Sequence, residues 1–219
     1  MEASTSKNMS VLALLISNPA ALFSSINNNR NVFTKAFLLS VVISFIVTLL
    51  GVPSFRINNV EGGIIFFILN VTTNIMLFFI YSIFSYISAK VLLGNGGFFK
   101  SISAFLYTLP LFVFINVLEI PLKTLQDKEL IDGKLTLSTL ENMVFIISSD
   151  PYILAADLAV GIMYIWFACI LFLLLKTVHN FGFIRSSLSS LLTLVLMYLS
   201  VFLIENPINH FLLTAFKSY

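Results

Sequence analysis

The segment Lys90-Val-Leu-Leu-Gly-Asn-Gly-Gly-Phe-Phe-Lys100 joins two long uncharged stretches and decides the fold class. Before it the chain carries no charged residue from Gly62 to Ala89, and after it none from Ser101 to Leu118. At ~1.5 Å per residue the first stretch makes a helix of ~42 Å, longer than the ~30 Å hydrocarbon core of a bilayer. The segment therefore predicts a helical hairpin that crosses a membrane twice, with a glycine-rich turn at one surface.

The composition of the whole chain supports this interpretation. Its 219 residues are 58% hydrophobic and only 10% charged, with a mean hydropathy of +1.01. A soluble domain carries about 25% charged residues, so this chain cannot build a water-facing surface. The net charge of +2 and the lack of a basic patch with interleaved aromatic residues argue against nucleic acid as a partner. The composition predicts an all-α, polytopic membrane helix bundle.

Five transmembrane helices are predicted from the uncharged stretches and their proline and glycine boundaries, with four or six as the alternatives. Pro110 lies in the middle of the third predicted span, where it removes one backbone hydrogen bond and kinks the helix, and Pro121 is expected to end that helix. We assign residues 32–219 to one five-span domain. The predicted spans cover residues 35–53, 63–93, 98–120, 151–175 and 186–204.

The amino-terminal residues 1–31 are predicted to form a tail with a short interfacial helix. Asn18-Pro19 splits this region, since Asn18 can cap a helix and Pro19 suits its first turn. Neither piece is long enough to span a bilayer, so one or two helices are expected to lie on its surface. A frayed terminus is the alternative.

The only substantial polar stretch lies between the third and fourth predicted spans. There, Ser138-Thr-Leu-Glu141 has the spacing of a helix-capping box. The apolar residues that follow recur at helical spacing, which favours a helix lying against the membrane or the bundle over a plain loop. Asp150-Pro151 then repeats the cap-plus-proline pattern and begins the fourth span.

The distribution of basic residues predicts the orientation. With five spans, seven Lys and Arg residues fall on the amino-terminal side of the membrane and five on the other. Cytoplasmic loops carry the excess of these residues. The amino terminus and the turn at Gly94–Gly97 are therefore expected to face the cytoplasm, with the carboxy terminus outside.

No catalytic motif is present in the sequence. The chain lacks a Gly-x-Ser-x-Gly elbow, a His-Glu-x-x-His zinc pair and a Gly-x-Gly-Asp aspartyl site. The two histidines, His179 and His210, are predicted at opposite membrane faces, where each is expected to be solvated. We therefore expect no enzymatic activity, no metal and no cofactor.

A candidate intramembrane polar site comes from the second and fourth spans. Asp157 lies within the fourth span, and ionisable residues inside a membrane are a functional hypothesis by default. Asn70, Thr73 and Asn74 form a polar patch at similar depth in the second span. We predict that Asp157 faces the bundle interior and meets Asn70 or Asn74, as part of either a transport site or the hydrogen bonds that hold the bundle together.

The glycine turn has two interpretations. Gly94, Gly96 and Gly97 can serve a structural turn, either through positive φ angles or through close packing of the second and third spans. Alternatively, the backbone N–H groups of the turn and Lys100 can cradle the phosphate of a lipid headgroup. Because this is not a Walker sequence, the structural turn is favoured.

The segment from Ala89 to Pro110 resembles the Yip family, whose eukaryotic members interact with Ypt/Rab GTPases. In that family a glycine-rich turn with an aromatic and a basic residue joins the second and third spans, and a Gly-Tyr-x-x-x-Pro-like motif follows. Here Gly94, Gly96, Gly97, Phe98 and Lys100 are similar to the turn. Tyr107 and Pro110 are similar to the motif, in which Leu106 replaces the glycine.

The resemblance implies a five-span protein without known catalysis in a prokaryotic plasma membrane. Residues 1–31 are shorter than the cytoplasmic region of the trafficking members and lack their Asp-Leu-Tyr-Gly-Pro motif, which argues against GTPase binding. The leading hypothesis is a non-enzymatic protein that organises the bilayer, other membrane proteins or copies of itself. The alternative is a small transporter or lipid-handling protein with a site around Asp157.

Overall fold

The computed structural model describes residues 11–27, 32–51, 60–131, 150–208 and 211–212. These residues form eight α-helices and one π-helical segment, with further helical residues at 206–208 and 211–212, and include no β-strand, so the all-α prediction is confirmed for them. The helices are α1 (Val11–Ser17), α2 (Pro19–Asn27), α3 (Val32–Gly51), α4 (Val60–Val91), α5 (Phe98–Leu106), α6 (Pro110–Ile131), α7 (Pro151–His179) and α8 (Phe183–Ser200). The π-helical segment, Val201–Glu205, continues α8.

Five of these helical units are long and apolar enough to cross a membrane, as predicted. They are α3, α4, the pair α5–α6, α7, and α8 with its continuation. Two thirds of the third unit is buried inside the protein, against one third or less of each of the others. The pair α5–α6 therefore forms the centre of the bundle, and the other spans expose much of their apolar surface.

The third span differs from its prediction. It does not run as one kinked helix, because Tyr107–Leu109 form a turn between α5 and α6. Pro110 is the first residue of α6, a position where its missing N–H has no helical partner. Pro121 does not end the helix, which continues to Ile131, since a proline removes only one backbone hydrogen bond from a helix.

The amino-terminal helices are part of the bundle. The Asn18 side chain accepts a hydrogen bond from the Ala21 N–H at 3.0 Å, which confirms the predicted cap of α2. Leu15 and Phe23 are fully buried, and α2 packs against α5 and α7. Apolar burial of this kind stabilises the packing of α1 and α2 on the spans.

The remaining boundaries follow from local chemistry. Asp150 caps α7 by accepting from the N–H groups of Tyr152 and Ile153 at 2.9 and 3.3 Å, as its position before Pro151 predicts. The fourth span is longer than predicted and ends only at His179. The capping box at Ser138 and Glu141 lies outside the described residues.

Candidate functional site

The turn between α4 and α5 begins with a helix-terminating motif. Leu93 adopts a left-handed backbone with φ 63°. The N–H of Leu93 bonds the Lys90 carbonyl at 3.0 Å, and the N–H of Gly94 bonds the Ala89 carbonyl at 2.9 Å. These are the two hydrogen bonds of a Schellman motif. Its left-handed position is usually occupied by glycine, but here it is a leucine.

The glycines of this turn serve close packing. A Cβ atom on Gly94 would lie 2.6 Å from His179 Nδ1, and one on Gly96 would lie 2.7 Å from the same ring. A Cβ atom on Gly97 meets nothing within 4 Å, and its φ of −73° is open to any residue. Gly94 and Gly96 therefore allow close packing on the end of α7, and not the predicted packing between the second and third spans.

His179 is the buried centre of this contact. The Gly96 N–H donates to His179 Nδ1 at 3.1 Å, and His179 Nε2 lies 3.0 Å from Ser101 Oγ. A backbone N–H can only donate, so Nδ1 carries no proton and the ring is the neutral Nε2–H tautomer. Ser101 then accepts from Nε2 and donates to the Gly97 carbonyl at 2.9 Å. The predicted solvated His179 is wrong, because α7 extends until this ring enters the turn.

The same hydrogen bonds occupy two of the backbone donors that a phosphate cradle in the turn itself would use. The Gly96 N–H is occupied by His179, and the Gly94 N–H is occupied by the Ala89 carbonyl. The Lys90 ammonium donates to the Gly94 carbonyl at 2.9 Å and lies 5.5 Å from the centre of the Tyr86 ring. Lys100 is exposed on the first turn of α5. His210, the other histidine, lies outside the described residues.

The predicted polar site in the spans is not assembled. Asp157 is exposed on the outer surface of α7, whereas the Asn74 amide donates to Thr48 Oγ1 of α3 at 3.0 Å. The Asn70 amide donates to the Phe66 carbonyl of its own helix, and Thr73 is half-buried. The predicted contact between the spans is wrong because α7 packs mainly on α6, α8 and α2 and touches α4 only marginally.

Two tyrosine–glutamate pairs join helical elements instead, with Tyr81 buried in one pair and Tyr164 exposed in the other. The Tyr81 hydroxyl donates to Glu205 Oε2 at 3.0 Å, and the Tyr164 hydroxyl donates to Glu119 Oε1 at 2.9 Å. The charge of Glu205 also acts on the Tyr164 phenol, so the two pairs are considered together. These residues come from α4, α6, α7 and the π-helical segment. We call them the Tyr–Glu cluster.

The Tyr–Glu cluster is not evident in the sequence, because both glutamates fall at the ends of predicted spans. Glu119 is the next-to-last residue of the predicted third span, and Glu205 follows the predicted fifth span. In the structure α6 extends beyond Glu119, and α8 continues through a π-helical segment that ends at Glu205. A π-helical segment is rare and often accompanies a functional site. The sequence pattern gives no signal for this segment.

The two residues matched to the family motif lie at the break in the third span. Tyr107 is buried in the turn between α5 and α6, and its N–H donates to the Ser103 carbonyl at 3.1 Å. Pro110 follows as the first residue of α6. The motif therefore marks the point where the central span is interrupted.

A buried interior held by contacts between spans and an outer surface of apolar side chains define a multi-pass α-helical integral membrane protein. The sequence matches the Yip1 domain family over residues 13–204. The chain therefore belongs to the Yip1 domain family. Comparison with curated proteins finds no match, and comparison with solved structures finds none either.

Proposed function

We propose that this protein is a non-enzymatic scaffold that organises the bilayer or partner proteins in it. The observation that supports this proposal is the use of polar side chains to join helices. His179 joins α7 to the turn before α5, and Asn74 joins α4 to α3. Without such a hydrogen bond the polar group would be left unsatisfied inside the protein, and an unsatisfied buried group costs about 1–3 kcal/mol.

The outer surface is the part of a scaffold that can meet a partner. Large apolar side chains are exposed along the spans, among them Ile162, Ile165 and Leu203. In a bilayer such side chains contact either lipid tails or the spans of another protein. A rigid interior with an apolar exterior suits a protein that acts by association.

The orientation proposed from the sequence gains support from the positions of the described cations. The starts of α3, α5 and α8 and the ends of α4 and α7 belong to one end of the bundle, because His179 bonds Gly96 and the Phe33 and Phe99 rings lie 5.3 Å apart. Lys35, Lys90, Lys100, Lys176 and Arg185 lie near these helix ends. We propose that this end faces the cytoplasm.

Single cysteines test this orientation. Asn95→Cys and Gly133→Cys are made in a Cys169→Ala background and treated with a membrane-impermeant thiol reagent on intact cells. Gly133→Cys is expected to react and Asn95→Cys is not. Reaction of Asn95→Cys from outside would reverse the proposed orientation.

Affinity purification from native membranes tests the organising function. The tagged protein is expected to enrich a reproducible set of membrane proteins and lipids relative to an unrelated multi-span protein that carries the same tag. Cross-linking before solubilisation separates association in the membrane from association in detergent. An equal set of proteins and lipids with both baits would contradict the proposal.

The Tyr–Glu cluster supports a second candidate function, the movement of protons or small cations. Two carboxylates and two phenols from four helical elements are the kind of polar group that lines ion pathways in membranes. Glu119→Gln and Glu205→Gln remove the carboxylates with little change in volume. Asp157→Asn is the matched control, because Asp157 is exposed and outside the cluster.

Proteoliposomes with an internal pH-sensitive dye measure this activity. A proton or cation pathway predicts flux in the native protein, its loss in Glu119→Gln or Glu205→Gln, and its retention in Asp157→Asn. Absence of flux in the native protein would reject this candidate and leave the organising function.

A further inference from the structure

One end of the bundle is basic and has no carboxylate among the side chains that the structure describes. The described cations there are Lys35, Lys90, Lys100, Lys176 and Arg185, all of them exposed. The described carboxylates lie elsewhere, on α6, at the start and along α7, and on the π-helical segment. The cations therefore have no ion-pair partner within the described part of the chain. We call this end the basic face.

Two of these cations lie in matching units. Gly97-Phe-Phe-Lys-Ser101 begins α5, and Gly182-Phe-Ile-Arg-Ser186 begins α8. Each glycine is extended and precedes the first helical residue, and neither helix start has a side-chain cap. The serine at the end of each unit donates to the carbonyl of its glycine, at 2.9 and 3.0 Å.

The matching extends to the aromatic contacts of the units. The Phe98 ring lies 5.1 Å from the Tyr86 ring of α4, and the Phe183 ring lies 5.4 Å from the Phe172 ring of α7. In both units the first helical residue packs edge-to-face on the preceding long helix. The two units thus present their cations, Lys100 and Arg185, in the same local setting.

Each unit also exposes a pair of apolar side chains next to its cation. The exposed fractions are 41% for Phe98, 62% for Phe99, 72% for Phe183 and 74% for Ile184. An exposed aromatic or aliphatic pair beside a cation is suited to the boundary between acyl chains and headgroups, where the apolar groups enter the chains and the cation meets phosphate.

We propose that Lys100 and Arg185, each with its apolar pair, bind the headgroup phosphates of anionic phospholipids at two equivalent positions. The charge of the basic face is complementary to an anionic lipid surface, which attracts juxtamembrane cations. The exposed apolar pairs favour a lipid over free phosphate, because free phosphate uses none of the apolar surface. The first-turn N–H groups of α5 and α8 have no side-chain cap, and their partial positive charge also favours a phosphate. The proposal requires that the protein lies in a membrane but not that it organises partners.

Retention of lipid by the purified protein tests this proposal. The full-length protein is reconstituted into bilayers of phosphatidylcholine mixed with phosphatidylglycerol, extracted in mild detergent and analysed by native mass spectrometry. The native protein is expected to retain phosphatidylglycerol in preference to phosphatidylcholine. The double variant Lys100→Gln/Arg185→Gln is expected to lose most of this preference.

Two matched variants separate the paired positions from a general attraction to the basic face. Lys100→Arg/Arg185→Lys keeps the charge and is expected to keep the preference. Lys35→Gln/Lys176→Gln removes the same number of cations from the same face and is expected to keep most of it. Equal loss in Lys35→Gln/Lys176→Gln, or an unchanged preference in Lys100→Gln/Arg185→Gln, would overturn the proposal. Inorganic phosphate is added in a parallel sample, and displacement of the lipid by it at millimolar concentration would also contradict a lipid-specific position.

Discussion

The two helical hairpins of this protein, residues 60–106 and 151–200, are built alike but closed differently. Each begins with a long helix whose final turn is followed by a left-handed residue, Leu93 in one and Asn180 in the other. Each then reaches an extended glycine that starts the next helix. The first hairpin has three more residues in its turn, and these include Gly94 and Gly96, which receive the His179 ring. The glycine of the second turn, Gly182, has nothing near its missing Cβ.

This difference assigns separate roles to similar sequences. The repeated helix starts put a cation and an apolar pair at the basic face in both hairpins. The inserted glycines of the first turn join the hairpins to each other through the end of α7. The central span is thus fixed at its start by a residue from the second hairpin, and variants that affect only one turn can separate the two roles.

The largest expected effect is that of Gly96→Ala, which disrupts the contact between the two hairpins. The added Cβ would lie 2.7 Å from the buried His179 ring and 3.0 Å from the Val178 carbonyl. Overpacking of this kind costs about 1–3 kcal/mol, and we expect the upper end because the ring is held by hydrogen bonds at both nitrogens. Thermal unfolding in detergent measures the change.

Gly97→Ala is the matched control for this variant, since it adds the same atom to the next residue in open space. It is expected to cost less than about 1 kcal/mol, the difference between glycine and alanine before a helix. Equal destabilisation by Gly96→Ala and Gly97→Ala would mean that close approach of His179 does not hold the turn.

The next prediction compares the long helices of the two hairpins. Tyr81 of α4 and Tyr164 of α7 each donate to a glutamate, but Tyr81 is 6% exposed and Tyr164 is 49% exposed. Tyr81→Phe leaves the half-buried Glu205 carboxylate without this donor and is expected to cost about 1–2 kcal/mol. Tyr164→Phe is expected to cost less, because Tyr164 is more exposed than Tyr81. The order of the two unfolding midpoints checks this, and the reverse order would contradict it.

The five spans were predictable from the sequence because uncharged length and glycine or proline boundaries are local signals. Asn18 and Asp150 were predictable as caps for the same reason, since a cap bonds amides two or three residues away. The Yip-like motifs identified the family without a structure. Local chemistry therefore accounts for most of the fold.

The contacts between spans were not predictable. His179 enters the turn because α7 is longer than its uncharged part, and hydrophobic length does not determine where a helix ends inside a protein. The contact between Asp157 and Asn70 or Asn74 was inferred from equal depth, which does not determine which faces of two helices meet. The choice of neighbours depends on the packing of all the spans together.

Ser101→Ala and Ser186→Ala compare the same position in the two repeated units. Both serines donate to the carbonyl four residues earlier, but only Ser101 also bonds His179. Ser101→Ala leaves His179 Nε2 without its acceptor and is expected to cost about 1 kcal/mol. Ser186→Ala is expected to cost less than half as much. Equal costs for both would show that the His179–Ser101 bond adds nothing to the first hairpin.

The smallest expected effect concerns the left-handed residues. Leu93 has φ 63° and a largely exposed side chain, and Asn180 has φ 53°. A leucine in this conformation costs roughly 1–2 kcal/mol, whereas asparagine adopts it readily. Leu93→Gly removes that cost. It also gives the unfolded chain more conformational freedom, which reduces the gain in stability by about 0.4–1 kcal/mol. We expect Leu93→Gly to raise the unfolding midpoint slightly and Asn180→Gly to leave it unchanged or lower. If Leu93→Gly destabilises the protein more than Asn180→Gly does, the exposed leucine has a role in membrane contact that outweighs its backbone strain.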